Sequence, residues 1–224
     1  MVGGWARSLM AIPAVLALGW LSIYAARLGV ASAGTQRAAG EIESWAGGRQ
    51  PSADAFAATR DALEEVRGQV PRDPSVHELL GIAKARAGPE YVADAAVEFK
   101  RAVALRPASG YAWANLVSAN YRLGRTDGAF EKALAHAAEL GPYEPEVQQL
   151  VAHFGLAVWN EVSGETRVAV EKMVSAGMRR NPPEMLQIAQ RRGRLDVACR
   201  HFPVSSRQTN PKWAQICDSV EATS

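Results

Sequence analysis

The chain has 224 residues, 48% of them hydrophobic and 21% charged, with a formal net charge of +2. This composition excludes a disordered chain, and the near-neutral balance carries no nucleic-acid signal. The length allows one domain, or one domain with an appendage, and an alanine-rich sequence with scattered strand formers favours helices.

The first predicted element is apolar. Arg7 and Arg27 bracket "SLMAIPAVLALGWLSIYAA", 19 residues without a charge. About 20 such residues cross a bilayer as a helix. Trp5 and Tyr24 stand near its ends, where aromatic rings favour the interface, and a membrane helix tolerates Pro13. Residues 1–33 therefore read as a transmembrane anchor or a signal peptide. The small-x-small triplet Ala31–Ala33 would suit cleavage. The apolar run is longer than the ~7–15 residues of a signal-peptide core, and Arg27 interrupts the approach to the site, so retention is favoured. Flanking charge does not fix orientation, since Arg7 and the amino terminus face Arg27 and Arg37. With so short an amino-terminal tail, the expectation is a single-pass inner-membrane protein with its C-terminal domain in the periplasm. Cleavage would instead release residues 34–224 to the periplasm or cell exterior.

Residues 34–52 read as a linker, loosened by Gly47 and Gly48. A helix follows over "ADAFAATRDALEEVRGQ", after a Pro-Ser start. From Glu41 to Lys100 there are 11 acidic and 7 basic residues, a net of −4. Three prolines then follow apolar-periodic segments: Pro74, Pro107 and Pro142, separated by 33 and 35 residues. Leu80-Gly81 marks one helix. Ala95-x3-Phe99-x2-Ala102-x4-Pro107 marks the next. In the following unit Trp113-x2-Leu116 opens a helix, Tyr121 follows and Gly124 closes it. A second helix runs from about Asp127 to Leu140, with Ala129, Leu134 and Ala137 inward. Gly81, Ala95 and Ala102 let antiparallel helices approach. Phe99, Trp113, Leu116 and Tyr121 fill the space and bridge to a neighbour. One hairpin cannot bury such a face alone, so neighbouring hairpins must stack. Pro107 and Pro142 end the second helices, because the residue before proline avoids helical conformation.

This pattern resembles the tetratricopeptide repeat, whose period is 34, over residues 53–142. The best repeats are 75–107 and 110–142. The sequence departs from the family where Val117 replaces the usual Gly, where Tyr121 falls one residue late, and where "GPEY" adds two residues to a turn. The resemblance implies an all-α fold: a transmembrane helix followed by a tetratricopeptide-like solenoid of helical hairpins over 53–202. It also implies a concave groove, lined by the first helices of the repeats, that accepts peptides or partner helices. Carried onto the second repeat, the groove positions are Tyr111, Ala114, Ser118, Tyr121 and Arg122, with Asn115 and Asn120 available to a partner's backbone. Tyr121 has an alternative reading as a core residue.

After Pro142 the pattern is weaker and still helical. Val147, Leu150, Val151, Phe154, Val158, Trp159 and Val162 recur at helical steps up to a break at Gly164. "ETRVAVEKMVSAGMRR" makes another helix. "PPEMLQIAQRRG" and "RLDVACRHF" make a short pair with Gly193 between them. Residues 145–202 thus read as degenerate hairpins and 203–224 as a loosely held tail. Lys172 to Arg207 carries 8 basic and 2 acidic residues, a net of +6. Its arginines, Arg179, Arg180, Arg191, Arg192 and Arg194, form either a solvated helix face or a docking patch for an acidic partner, an acidic glycan or lipid headgroups. Cys199 and Cys217 could form one disulfide in an oxidising compartment, or remain two separate small buried residues.

No phosphate-binding loop, dinucleotide fingerprint or nucleophile elbow occurs, and His77, His136, His153 and His201 are far apart. No catalytic, cofactor-binding or metal site is assigned. His153, on an apolar helix, reads as packed or solvent-tipped.

The order of features resembles the VpsP-like proteins of bacterial exopolysaccharide gene clusters. A hydrophobic segment and a few repeats precede "YAWANLVSANYRLG" and "AELGPYEPEVQ"; then come "GLAVW", "GMRRNP", "RRGRLDVAC" and a cysteine-bearing tail. The likeness spans most of residues 75–200. It implies a periplasm-facing accessory role in polysaccharide biosynthesis or export, with other proteins of that machinery as partners. The alternatives are a glycan-binding accessory module and an assembly factor for another envelope complex.

Overall fold

The structure is a computed structural model that describes residues 4–45 and 50–222, with side chains from Val15 onward, Arg27 apart. The side chains of Trp5, Arg7, Pro13 and Arg27, and both Gly47 and Gly48, lie outside the described residues. The described chain is all-helical, with 11 α-helices, 2 short 3-10 turns and no strand. It forms two compact units, Met1–Gly88 and Pro89–Ser224.

The first unit holds α1 (Gly4–Ser44), α2 (Ala53–Gln69) and α3 (Pro74–Ala87). With 41 residues, α1 is about 60 Å long at 1.5 Å per residue, twice the ~30 Å of a bilayer's hydrocarbon core. Its first part bares its apolar side chains, Leu16 at 69% and Trp20 at 67% exposure, and is long and apolar enough to cross a membrane. Beyond Val30 the helix changes role. Ala31, Ala38, Ile42 and Trp45 are buried as α1 packs on α2 and α3. Residues 34–44, linker-like by composition, are therefore helix. Gly34 allows the close approach, since a Cβ there would lie 2.7 Å from Val66 Cγ2. Arg86 of α3 donates to the Ile42 carbonyl near the end of α1, and that carbonyl also accepts from the Trp45 N–H at 3.2 Å. Ser52 Oγ caps α2 by accepting from the Ala55 N–H at 3.2 Å. Asp73 caps α3 by accepting from the Ser75 N–H at 2.8 Å, with Pro74 in the first turn.

The second unit holds α4 (Val92–Leu105), α5 (Gly110–Arg122), α6 (Gly128–Leu140), α7 (Pro145–Ala157), α8 (Gly164–Arg180), α9 (Pro182–Arg191), α10 (Leu195–Cys199) and α11 (Pro211–Glu221). The two helices of segment 75–107 thus fall in different units. In the second unit α5 packs on α4, α6 and α7; α6 packs on α8; and α7 packs on α8 and α9. Phe99, Leu116, Phe130, Leu134, Val151, Met173 and Leu186 are buried between them, each contributing about 1.5–3 kcal/mol before the entropic cost of ordering. Corners form at Gly124 and Gly193, whose φ angles of +68° and +64° favour glycine.

Hydrogen bonds repeat along the chain at one interval. Tyr111 donates to Glu146 at 2.8 Å, Thr126 to Glu161 at 3.4 Å and Thr166 to Glu131 at 2.8 Å, each across 35 residues. A second device recurs in step. Trp113 Nε1 donates to the Pro107 carbonyl at 2.8 Å and Gln148 Nε2 to the Pro142 carbonyl at 2.7 Å, each six residues back. In the first unit His77 Nε2 lies 3.3 Å from the Pro71 carbonyl at the same spacing. Tyr111–Glu146 joins α5 to α7 and Thr166–Glu131 joins α8 to α6, two pairs of helices that pack on one another.

Two segments differ from the periodicity. The apolar pattern runs on to Val162, but α7 ends at Ala157. Val158 and Val162 stay buried in a turn closed by Glu161 N–H to Val158 O at 2.8 Å. Val, Trp and Asn are weaker helix formers than Ala or Leu, and burial does not require a helix. At the other end, the segment read as a loose tail contains α11, which is bonded to α10 through the Cys199–Cys217 disulfide, with a Cα–Cα distance of 5.2 Å.

Candidate interaction surface

Helix α5 presents Tyr111, Asn115, Ser118 and Arg122 at steps of four, three and four, which is one stripe of a helix. Tyr111 and Arg122 are exposed, while Asn115 and Ser118 are half-buried; Ala114 is fully buried beneath. The Tyr111 hydroxyl joins this stripe to α7 through Glu146. The main-chain N–H of Glu146 is the largest influence holding its carboxyl below the usual range, followed by the Tyr111 hydroxyl.

Tyr121 stands beside the stripe, neither free nor fully core. Its ring is half-buried, 5.0 Å from the Phe154 ring, with the Arg192 guanidinium 5.7 Å from its centroid. Arg192 also hydrogen-bonds His153 Nε2, and the His153 ring meets Phe154 edge-on at 4.9 Å. Burial, then the charges of Arg192 and Arg191, push the His153 pKa down to about 4. His153 is therefore neutral near pH 7 and accepts from the arginine. Three successive odd-numbered helices, α5, α7 and α9, thus meet in one aromatic and cationic cluster. Sequence reasoning placed Tyr121 and His153 separately. Their meeting through Arg192, 39 residues from His153, leaves no local trace.

The five arginines of the basic run do not form one patch. Arg179 and Arg180 end α8, whereas Arg191, Arg192 and Arg194 lie at the far end of α9. The ten residues of α9 put roughly 15 Å between the groups. Several are engaged: Arg179 with Ser175 Oγ at 3.0 Å, Arg180 with the Tyr143 carbonyl at 3.0 Å and Arg194 with Asn160 Oδ1 at 2.5 Å. The first pair also complements the negative end of the α8 dipole.

The histidines remain apart. His136 lies 4.6 Å from the Trp113 ring, His77 is buried in α3, and His201 Nε2 is buried without a hydrogen-bond partner. Among the described residues no group of three or more His, Cys, Asp or Glu side chains gathers as a metal-binding set. No known family model, no curated relative and no solved structure matches this chain.

Proposed function

We propose that the protein is a membrane-anchored, periplasm-facing scaffold of tetratricopeptide type that mediates protein–protein interactions in exopolysaccharide biosynthesis or export. The observation that carries the scaffold reading is the 35-residue register of Tyr111–Glu146, Thr126–Glu161 and Glu131–Thr166. Equivalent hairpins stacked at one interval create a long face whose polar side chains sit at fixed spacing, and such faces recognise extended or helical partners. The stripe Tyr111, Asn115, Ser118 and Arg122, continued by Glu146 on α7, is the proposed docking face. Tyr and Arg are favoured contact residues. No catalytic role is assigned.

Anchoring is supported by the exposed apolar half of α1 and by its unbroken passage into the buried half. Cleavage after Ala33 would remove Ala31 from a packed core. The polysaccharide assignment rests on the resemblance to VpsP-like proteins and is the part most directly open to genetics. A clean deletion in the native host should reduce the extracellular polymer, and restoration should require the docking face. Normal polymer in the deletion strain would reject the pathway and leave an assembly factor for another envelope complex as the reading.

A further inference from the structure

A second polar site lies in the groove between α4, α5 and α6, away from the stripe that faces α7. It encloses about 240 Å³. Asn120 lines it at only 6% exposure. No group among the described residues hydrogen-bonds the Asn120 carboxamide. The amide opens onto the groove and offers both donors and an acceptor to whatever enters it.

The rim is cationic. Lys100 from α4, Arg125 from the turn after α5 and Lys132 from α6 all line the groove and are exposed, and none has an ion-pair partner among the described residues. Asp127, on the same rim, is engaged elsewhere, accepting from the Ala129 and Phe130 N–H groups at 3.1 and 3.2 Å as the cap of α6. Trp113 forms one wall and is fixed at both ends, by its hydrogen bond to the Pro107 carbonyl and by the His136 ring. Three unpaired cations, a carboxamide and an indole wall converge on a space of one-ring size.

We propose that this groove binds an acidic sugar residue. Its carboxylate would sit among Lys100, Arg125 and Lys132, its hydroxyls would pair with the Asn120 carboxamide, and its C–H face would lie against Trp113. The shared requirement is a small anion; the choice of a sugar as its carrier rests on the polysaccharide reading above. An acidic peptide fits less well, because the groove is short and gives a peptide backbone no track.

The test uses the full-length chain in detergent, titrated with glucuronate, glucose, inorganic phosphate and a glutamate-rich peptide. Calorimetry measures affinity, and NMR follows the Asn120 side-chain amide and the Trp113 indole N–H. Glucuronate should bind and shift both signals, whereas glucose should shift neither. Affinity should fall as salt is raised. An Arg125→Ala, Lys132→Ala double variant, whose exposed positions leave the fold intact by circular dichroism, should weaken binding at least tenfold. Phosphate binding as tight as glucuronate, peptide binding without glucuronate binding, or signals that do not move would each overturn the proposal. These results are independent of the deletion phenotype: glucuronate binding in a protein whose loss leaves the polymer intact would keep this site and reject only the pathway.

Discussion

Gly155 sits in α7 against α8, and a Cβ there would overlap the β-branched Val170 side chain. Valine has little rotamer freedom with which to give way. Gly155→Ala should destabilise the protein by about 1–3 kcal/mol, read from the urea midpoint. Gly128→Ala, where a Cβ meets nothing within 4 Å, should be neutral or mildly stabilising. Equal effects at the two positions would contradict this packing. His153 makes a different prediction. Its pKa is held to about 4 in the fold, against about 6.5 in an unfolded chain. Between those values the unfolded state binds more protons, so stability falls as pH drops from about 6.5 towards 4 and levels off below. His153→Gln should flatten that part of the curve, measured by unfolding at pH 7 and pH 5. An unchanged slope would mean that the ring is solvated. At this scale the sequence shows which residues are large, small or charged. It does not show that Arg192 reaches Tyr121 and His153 together, because that contact depends on two loop geometries.

Helix α11 depends on a covalent tie. Trp213, Ala214, Ile216 and Val220 are only half-buried, and Cys217 alone is fully buried. The Arg207–Asp218 pair is largely exposed and contributes little. Closing a loop of this size by a disulfide stabilises by about 3 kcal/mol in the chain-entropy description, with 18 residues separating Cys199 and Cys217. Reduction, or Cys217→Ser, should therefore free α11 while leaving α4 to α9 folded. Limited proteolysis should then cut within residues 203–221 and spare the remainder. Identical protease maps for oxidised and reduced protein would contradict that dependence. Helices with local signals were legible: the Pro-Ser start before α2, the start of α6 at Asp127, and the turns at Gly124 and Gly193. Pro74, grouped in the sequence with prolines that follow a helix, instead starts α3. The helical nature of residues 34–44 and of α11 was not legible. Gly34 and Gly40 argue against a helix that packing on α2 and α3 enforces, and α11 draws on a bond between distant cysteines.

For the molecule as a whole, the apolar half of α1, the recurring prolines and the all-helical composition were readable because each is a property of neighbouring residues. The clustering of charge was not. A net of +6 along the chain becomes two groups of arginines at opposite ends of α9, several of them already hydrogen-bonded. The proposed docking face is therefore placed on the stripe of α5 and not on the basic run. The most direct test is site-specific photocrosslinking in the native host from Ser118 and Arg122, with exposed Glu139 on α6 as the comparison position. A docking face predicts that both α5 positions capture the same polysaccharide-assembly protein and that Glu139 does not. Equal capture from Glu139, or none from Ser118 and Arg122 in cells that are making polymer, would contradict it.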